Sequence, residues 1–132
     1  MVKIYADECT WCKRMDEMTF NQKSVVNYVN AHYYAVELSA DFKGSIVFEK
    51  TYEYTKRAGR GYHELASLFT NGNLSYPTIV FLDENLNTIQ AMSGYKDVGM
   101  FQKILTYFNN NYHKTIPWSE YQAQYNPIQD NR

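Results

Sequence analysis

Residues 2–15 read VKIYADECTWCKRM. The run Val2–Ala6 alternates loosely and is rich in strand-forming side chains, which predicts a β-strand. From Cys9 to about Thr19 the chain holds no Gly or Pro, and Trp11, Met15 and Met18 recur at the spacing of one helical face, which predicts a helix. Cys9 and Cys12, the chain's two cysteines, therefore fall at a strand-to-helix turn.

Four readings compete for that pair. A structural zinc site takes four ligands, and His32, His63 and His113 stand far from the cysteines and from one another in sequence, so no metal is expected. Covalent haem would need His directly after the second cysteine, where Lys13 stands. Two unreactive buried thiols are the plain alternative. A dithiol that cycles with a disulfide is the reading the physics favours. A cysteine opening a helix faces unpaired backbone N–H groups and the positive end of the helix dipole, and both favour thiolate over thiol. Cys12, three positions on, lies on nearly the same side of the helix and can resolve a mixed disulfide formed at Cys9. Lys13 and Arg14 either add positive charge or form a solvated helix face, while Asp7 and Glu8 oppose the thiolate.

Further along, 24–31 (SVVNYVNA) reads as a helix with Val25, Val26 and Val29 inward, and 33–38 (YYAVEL) as a second strand, giving a βαβ unit. Residues 44–55 alternate with period two about Glu49-Lys50 and predict a β-hairpin, although the turn lacks Asn-Gly or Gly-Gly. KRAGRG (56–61) reads as a basic loop and 62–69 as a short helix. A strand over 78–82, a turn at DENLN (83–87), a strand over 88–92 and a helix from about Val98 to Asn109 follow. Met100, Phe101, Ile104, Leu105 and Phe108 are the expected core of that last helix. The domain reading is residues 1–110 with an insertion at 42–61, and a tail, 111–132, docked on it through Trp118, Tyr121 and Tyr125.

With 132 residues and 45% hydrophobic content, the chain is long enough for one globular domain held without structural disulfides. A formal net charge of −1 argues against a nucleic-acid partner or an electrostatic membrane partner. No run of 18 apolar residues exists to insert into a bilayer. A chain that opens directly into a strand-like run is expected to have been trimmed of a leader.

VKIYADECTWCKRM, HELASLF, YPTIVFLDENLNTIQAMSGY and the closing helix together resemble the thioredoxin superfamily, over most of residues 2–109. Within it the chain is similar to bacterial thioredoxin-related proteins with a C-x-W-C-K-x-M active site, and to the periplasmic thioredoxin-like domain of the transmembrane disulfide reductase. GRGYHELA and LSYPT look like a Bacteroidetes subfamily. The resemblance implies an α/β thioredoxin fold, with a central mixed four-stranded sheet ordered 33–38, 2–6, 78–82, 88–92 and helices on both faces. The first two strands would be parallel and the others antiparallel to them.

The resemblance also implies roles. Pro77 matches the family's cis-proline, leaving the backbone of Tyr76 able to pair with an extended substrate peptide; an ordinary trans-proline before a strand is the plain reading. Tyr76 is larger than the family's usual residue and would narrow the groove. Trp11 either contacts substrate or packs on the protein's own surface. Gly94 matches a glycine that lets another chain approach, or is a turn glycine. Where the family usually buries an Asp that takes the resolving thiol's proton, this chain has Lys3, and the partner lysine aligns with Glu37. The expectation is a partly buried Lys3–Glu37 ion pair behind Cys12 with Glu37 as proton acceptor; Lys3 reaching out to solvent is the alternative. In the insertion, Tyr52, Tyr54, Arg57 and Arg60 are candidate partner contacts, a structural flap being the plainer reading.

These residues imply a thiol-disulfide oxidoreductase that reduces protein disulfides through Cys9 and Cys12, with no metal or organic cofactor. The implied setting is the periplasm, with the cytoplasm as alternative, a membrane reductase as electron donor and a monomeric state. A non-catalytic peptide-binding module of the same fold is the competing reading.

Overall fold

In the computed structural model of the chain, residues 1–126 are described. Residues 127–132, the end of the tail expected to dock, lie outside the described residues. The chain divides into two compact units, one of Met1–Lys13 with Ala35–Tyr95, the other of Arg14–Tyr34 with the chain from Lys96 onward.

The first unit is built on β1 (Val2–Tyr5), β2 (Val36–Ser39), β7 (Thr78–Leu82) and β8 (Thr88–Ser93), in the sheet order β2-β1-β7-β8. β1 and β2 are parallel, while β7 is antiparallel to both β1 and β8. Order and directions are those implied by the family resemblance. α3 (Glu64–Thr70) covers one face, burying Leu65, Ala66 and Phe69 with Val2, Ile4, Leu38, Ala40 and Val80. Each of the Leu, Ile, Val and Phe side chains contributes about 1.5–3 kcal/mol on leaving water.

Two hairpins lie between β2 and α3: β3 (Ile46–Phe48) with β4 (Lys50–Tyr52), and β5 (Tyr54–Arg57) with β6 (Arg60–His63). The first turns at Glu49, as the alternation predicts, through a positive φ of 66°. The second corrects the reading of 56–61 as a loop and moves the start of the helix read over 62–69 to Glu64, the helix itself standing as α3. Ala58 and Gly59 both adopt positive φ, 51° and 77°, the pattern of a type I′ hairpin turn. Alanine in place of the usual Asn or Gly hides this turn in the sequence.

The second unit is helical. The end of α1 (Thr10–Met15), whose residues up to Lys13 belong to the first unit, runs into a π-helical turn (Asp16–Phe20), followed by α2 (Lys23–His32), α4 (Val98–Asn109) and α5 (Trp118–Gln124). The wider turn accommodates an extra residue and breaks the expected Trp11–Met15–Met18 face. Met15 is buried, Met18 is exposed, and Thr19 is buried in its place, donating to the Lys96 carbonyl at 2.6 Å. In α2 the buried residues are Val25, Tyr28 and Val29, not Val26, which lies about 100° round the helix from Val25. In α4, Phe101, Ile104, Leu105 and Phe108 are buried as expected, whereas Met100 is only partly covered. α5 buries Tyr121, whose hydroxyl pairs with Thr106 Oγ1 at 2.6 Å, and Trp118 meets Tyr107 edge-on at 5.1 Å.

Candidate active site

Strand directions gather one end of the sheet into a site. The C-terminal ends of β1, β2 and β8 and the N-terminal end of β7 all lie there, since Ile4 pairs with Thr78, Tyr5 with Ser39, and Thr78 with Ser93. Cys9 follows β1, Asp41 follows β2, Tyr76-Pro77 precedes β7 and Gly94 follows β8.

Cys9 and Cys12 are joined as a disulfide, with their Cα atoms 5.2 Å apart. Cys9 caps α1: its carbonyl accepts from Lys13 N–H and its Sγ accepts from Cys12 N–H, each at 3.1 Å. A hydrogen bond from a helix N-terminus to sulfur stabilises negative charge on that atom. Cys12 is only 6% exposed, while Cys9 is partly open. The two sulfurs are thus unequal, one reachable and bonded by an amide, the other covered. Lys13 and Arg14 are exposed.

The loop carrying Cys9 is tied sideways. Asp7 N–H donates to Asp41 Oδ2 at 2.7 Å, Ser39 Oγ donates to Asp7 Oδ1 at 2.9 Å, and Asp41 N–H donates to Ser39 Oγ at 3.1 Å. Sequence reasoning missed Ser39 and Asp41, because their contact with Asp7 depends on the parallel pairing of β1 and β2.

The Tyr76–Pro77 peptide bond is cis, and Pro77 is buried. Gly94 N–H donates to the Pro77 carbonyl at 2.8 Å with φ +93°, a backbone conformation that costs a glycine little. Among the described residues, no backbone hydrogen bond engages the N–H or C=O of Tyr76. Burial raises the Tyr76 phenol above its ordinary pKa; the Asp41 charge adds to the shift and Arg60 opposes it. Trp11 is 55% exposed and lies against Tyr95 with ring centroids 5.5 Å apart. Tyr95, next to Gly94, is a third residue that sequence reasoning missed; its place after the family's glycine was the available signal. The expected residues are therefore connected: Trp11 to Tyr95, Gly94 to Pro77, and Pro77 to Tyr76.

Lys3 and Glu37 stand side by side on β1 and β2 and form an ion pair at 2.8 Å. The expectation of a partly buried pair needs correction on one side. The Lys3 side chain is 12% exposed, whereas that of Glu37 is 64% exposed, because β2 is an edge strand.

The chain belongs to the thioredoxin-like domain family, which it matches over residues 1–109. Solved structures agree on the fold. A thioredoxin-fold protein from Helicobacter pylori is 20% identical and superposes with a TM-score of 0.69, over 93% of this chain and 76% of that one. A thioredoxin from Thermus thermophilus is 20% identical with a TM-score of 0.55, over 79% of this chain and 68% of that one. No curated protein matches the sequence. Family and paired cysteines together support a redox role. No helix among the described residues is long and apolar enough to cross a membrane.

Proposed function

We propose that this thioredoxin-like chain is a thiol-disulfide oxidoreductase that reduces disulfides in polypeptide substrates. The observation that carries the reading is the Cys12 N–H donating to Cys9 Sγ at the first turn of α1, with Cys12 itself covered. In the reduced protein the Cys9 thiolate attacks one sulfur of the substrate disulfide. A Cys9–substrate bond forms, the substrate S–S bond breaks, and one substrate thiolate leaves. The Cys12 thiolate then attacks Cys9 Sγ, closing Cys9–Cys12 and releasing the second substrate thiolate, so two electrons pass to the substrate. The free N–H and C=O of Tyr76 receive the substrate backbone as an added strand, and Trp11 and Gly94 border it.

Glu37, paired with Lys3, is assigned to take the proton from the Cys12 thiol. Glu37→Gln is expected to slow mixed-disulfide resolution by about a hundredfold or more, measured by stopped-flow. An unchanged rate removes the role and leaves the pair as a strand–strand contact. The reading extends to a monomer in the periplasm that draws electrons from a membrane reductase, and there it rests on the resemblance of C-x-W-C-K-x-M alone.

Equilibrating the Cys9–Cys12 couple with glutathione tests the direction. A reduction potential near about −270 mV is expected for a reductant, whereas one near about −120 mV makes the protein a disulfide donor. Failure to form the intramolecular disulfide at any poise leaves a peptide-binding module.

A further inference from the structure

The two hairpins between β2 and α3 carry a charge pattern that the fold does not use. Residues 42–63 hold five cationic side chains (Lys43, Lys50, Lys56, Arg57 and Arg60) against two carboxylates, Glu49 and Glu53, in a chain of formal net charge −1. Part of this charge is engaged. Lys43 lies over the Tyr54 ring at 3.5 Å and Lys50 over Tyr52 at 5.3 Å, while Ser45 Oγ lies 2.8 Å from both Glu53 carboxylate oxygens. Lys56, Arg57 and Arg60 are exposed, and among the described residues none has an ion pair or a side-chain hydrogen bond.

Arg57 and Arg60 are also direct register partners at the end of the β5–β6 hairpin. Like charges facing each other across a strand pair destabilise it unless an anion lies between them. The hairpin is rooted beside the cysteine loop. His63 N–H donates to the Ala40 carbonyl at 2.7 Å, and the next residue, Asp41, holds Asp7, two positions before Cys9. Arg60 acts electrostatically on Tyr76, the residue assigned to substrate backbone. Arg57, with Tyr52, Tyr62, Leu68 and one carboxylate, Glu64, whose Oε1 accepts from Glu53 N–H at 2.8 Å, lines an open depression of about 450 Å³.

We propose that the β5–β6 hairpin is a docking arm for acidic segments of the disulfide-bearing polypeptide, with Arg57 and Arg60 as the residues that recognise its carboxylates. The inference rests on the reading of the chain as a reductase and names its substrate class. An acidic polypeptide fits better than a nucleic acid or an anionic membrane, because the arm stands on a chain of slight net negative charge and its base is bonded to the segment that ties the cysteine loop.

The test uses a dye-labelled peptide with four glutamates and a serine in place of cysteine, its Gln counterpart, and disulfide-linked versions of both. Binding to the intact protein is read by fluorescence anisotropy in about 50 mM salt, and reduction by thiol release. The acidic peptide should bind about tenfold more tightly than the neutral one, with the preference collapsing at high salt. R57Q/R60Q should erase the preference while leaving binding and reduction of the neutral peptides unchanged. Equal affinity for the two peptides in the unsubstituted protein overturns the proposal, as does an equal loss for both in R57Q/R60Q. Tighter binding to phosphatidylglycerol vesicles or single-stranded DNA, lost in the same variant, overturns it in favour of those partners. If the acidic preference is present but neither disulfide is reduced, the docking arm stands and the reductase reading fails.

Discussion

Cys9→Ser is expected to lower the rate of disulfide exchange by at least about three orders of magnitude, the scale on which loss of a nucleophile is felt. The serine hydroxyl stays protonated at neutral pH, and an amide donating to the neighbouring atom cannot make it a thiolate. Cys12→Ser is expected to behave differently. Cys9 can still attack, but nothing follows to displace the substrate, so a one-to-one mixed disulfide should accumulate and be visible as an added mass by intact-protein mass spectrometry. The asymmetry is the informative part, because it derives from the burial of Cys12 and the amide bonded to Cys9 Sγ. A trap forming at Cys12 in the Cys9→Ser protein, and not the reverse, would invert the assignment of attacking and resolving thiols.

His63→Ala should cost stability on the scale of a core truncation, although the residue is polar. The ring is fully buried at the junction of β6 and α3. Its Nδ1 accepts from Leu65 N–H at 3.2 Å, capping α3, so the proton sits on Nε2, which donates to the Gly44 carbonyl at 2.9 Å. Phe42 stacks on it with centroids 5.9 Å apart. Truncation removes a helix cap, strands a carbonyl and opens a void, together about 3 kcal/mol. For a chain of this size that corresponds to a melting temperature lower by about 10 °C, read by circular dichroism. His63→Asn, which keeps a donor and an acceptor, should recover part of it. A melting point within about 2 °C of the unsubstituted protein would show that the ring does not hold this junction.

What the sequence disclosed and what it hid follow from the range of the interactions. Val2–Ala6 and CTWCKRM placed the cysteines at a strand-to-helix turn through local signals, and the sheet order came with the family resemblance. Met18 was misplaced because a π-helical turn leaves no mark on hydrophobic spacing. Val26 was misplaced because the buried stripe runs through Tyr28, Val25 and Val29, which leaves Val26 at its outer edge. The β5–β6 turn was concealed by Ala58, which adopts a left-handed conformation more usual for Asn or Gly. At the site, the cysteines and Tyr76-Pro77 were legible as motifs. Asp41 and Ser39 were not, since only the pairing of β1 with β2 brings them to Asp7, and Tyr95 offered no signal beyond its place after Gly94. His63 could be read only as a poor zinc ligand, and its work as a structural link emerges from contacts with Ala40, Phe42 and Gly44, all distant in sequence.

The position of β2 has a bearing on how the protein behaves at high concentration. A strand with one neighbour presents a row of open backbone groups to any other chain that meets it, a route to self-association and fibres. β2 is short, four residues, and carries an exposed carboxylate midway along it at Glu37. Two molecules meeting edge to edge would set these negative charges close together and resist zipping. The side chain assigned to proton transfer is thus also the charge on the open edge, and a neutral residue there removes both. Kinetics on Glu37→Gln therefore belong at low protein concentration, with light scattering run alongside.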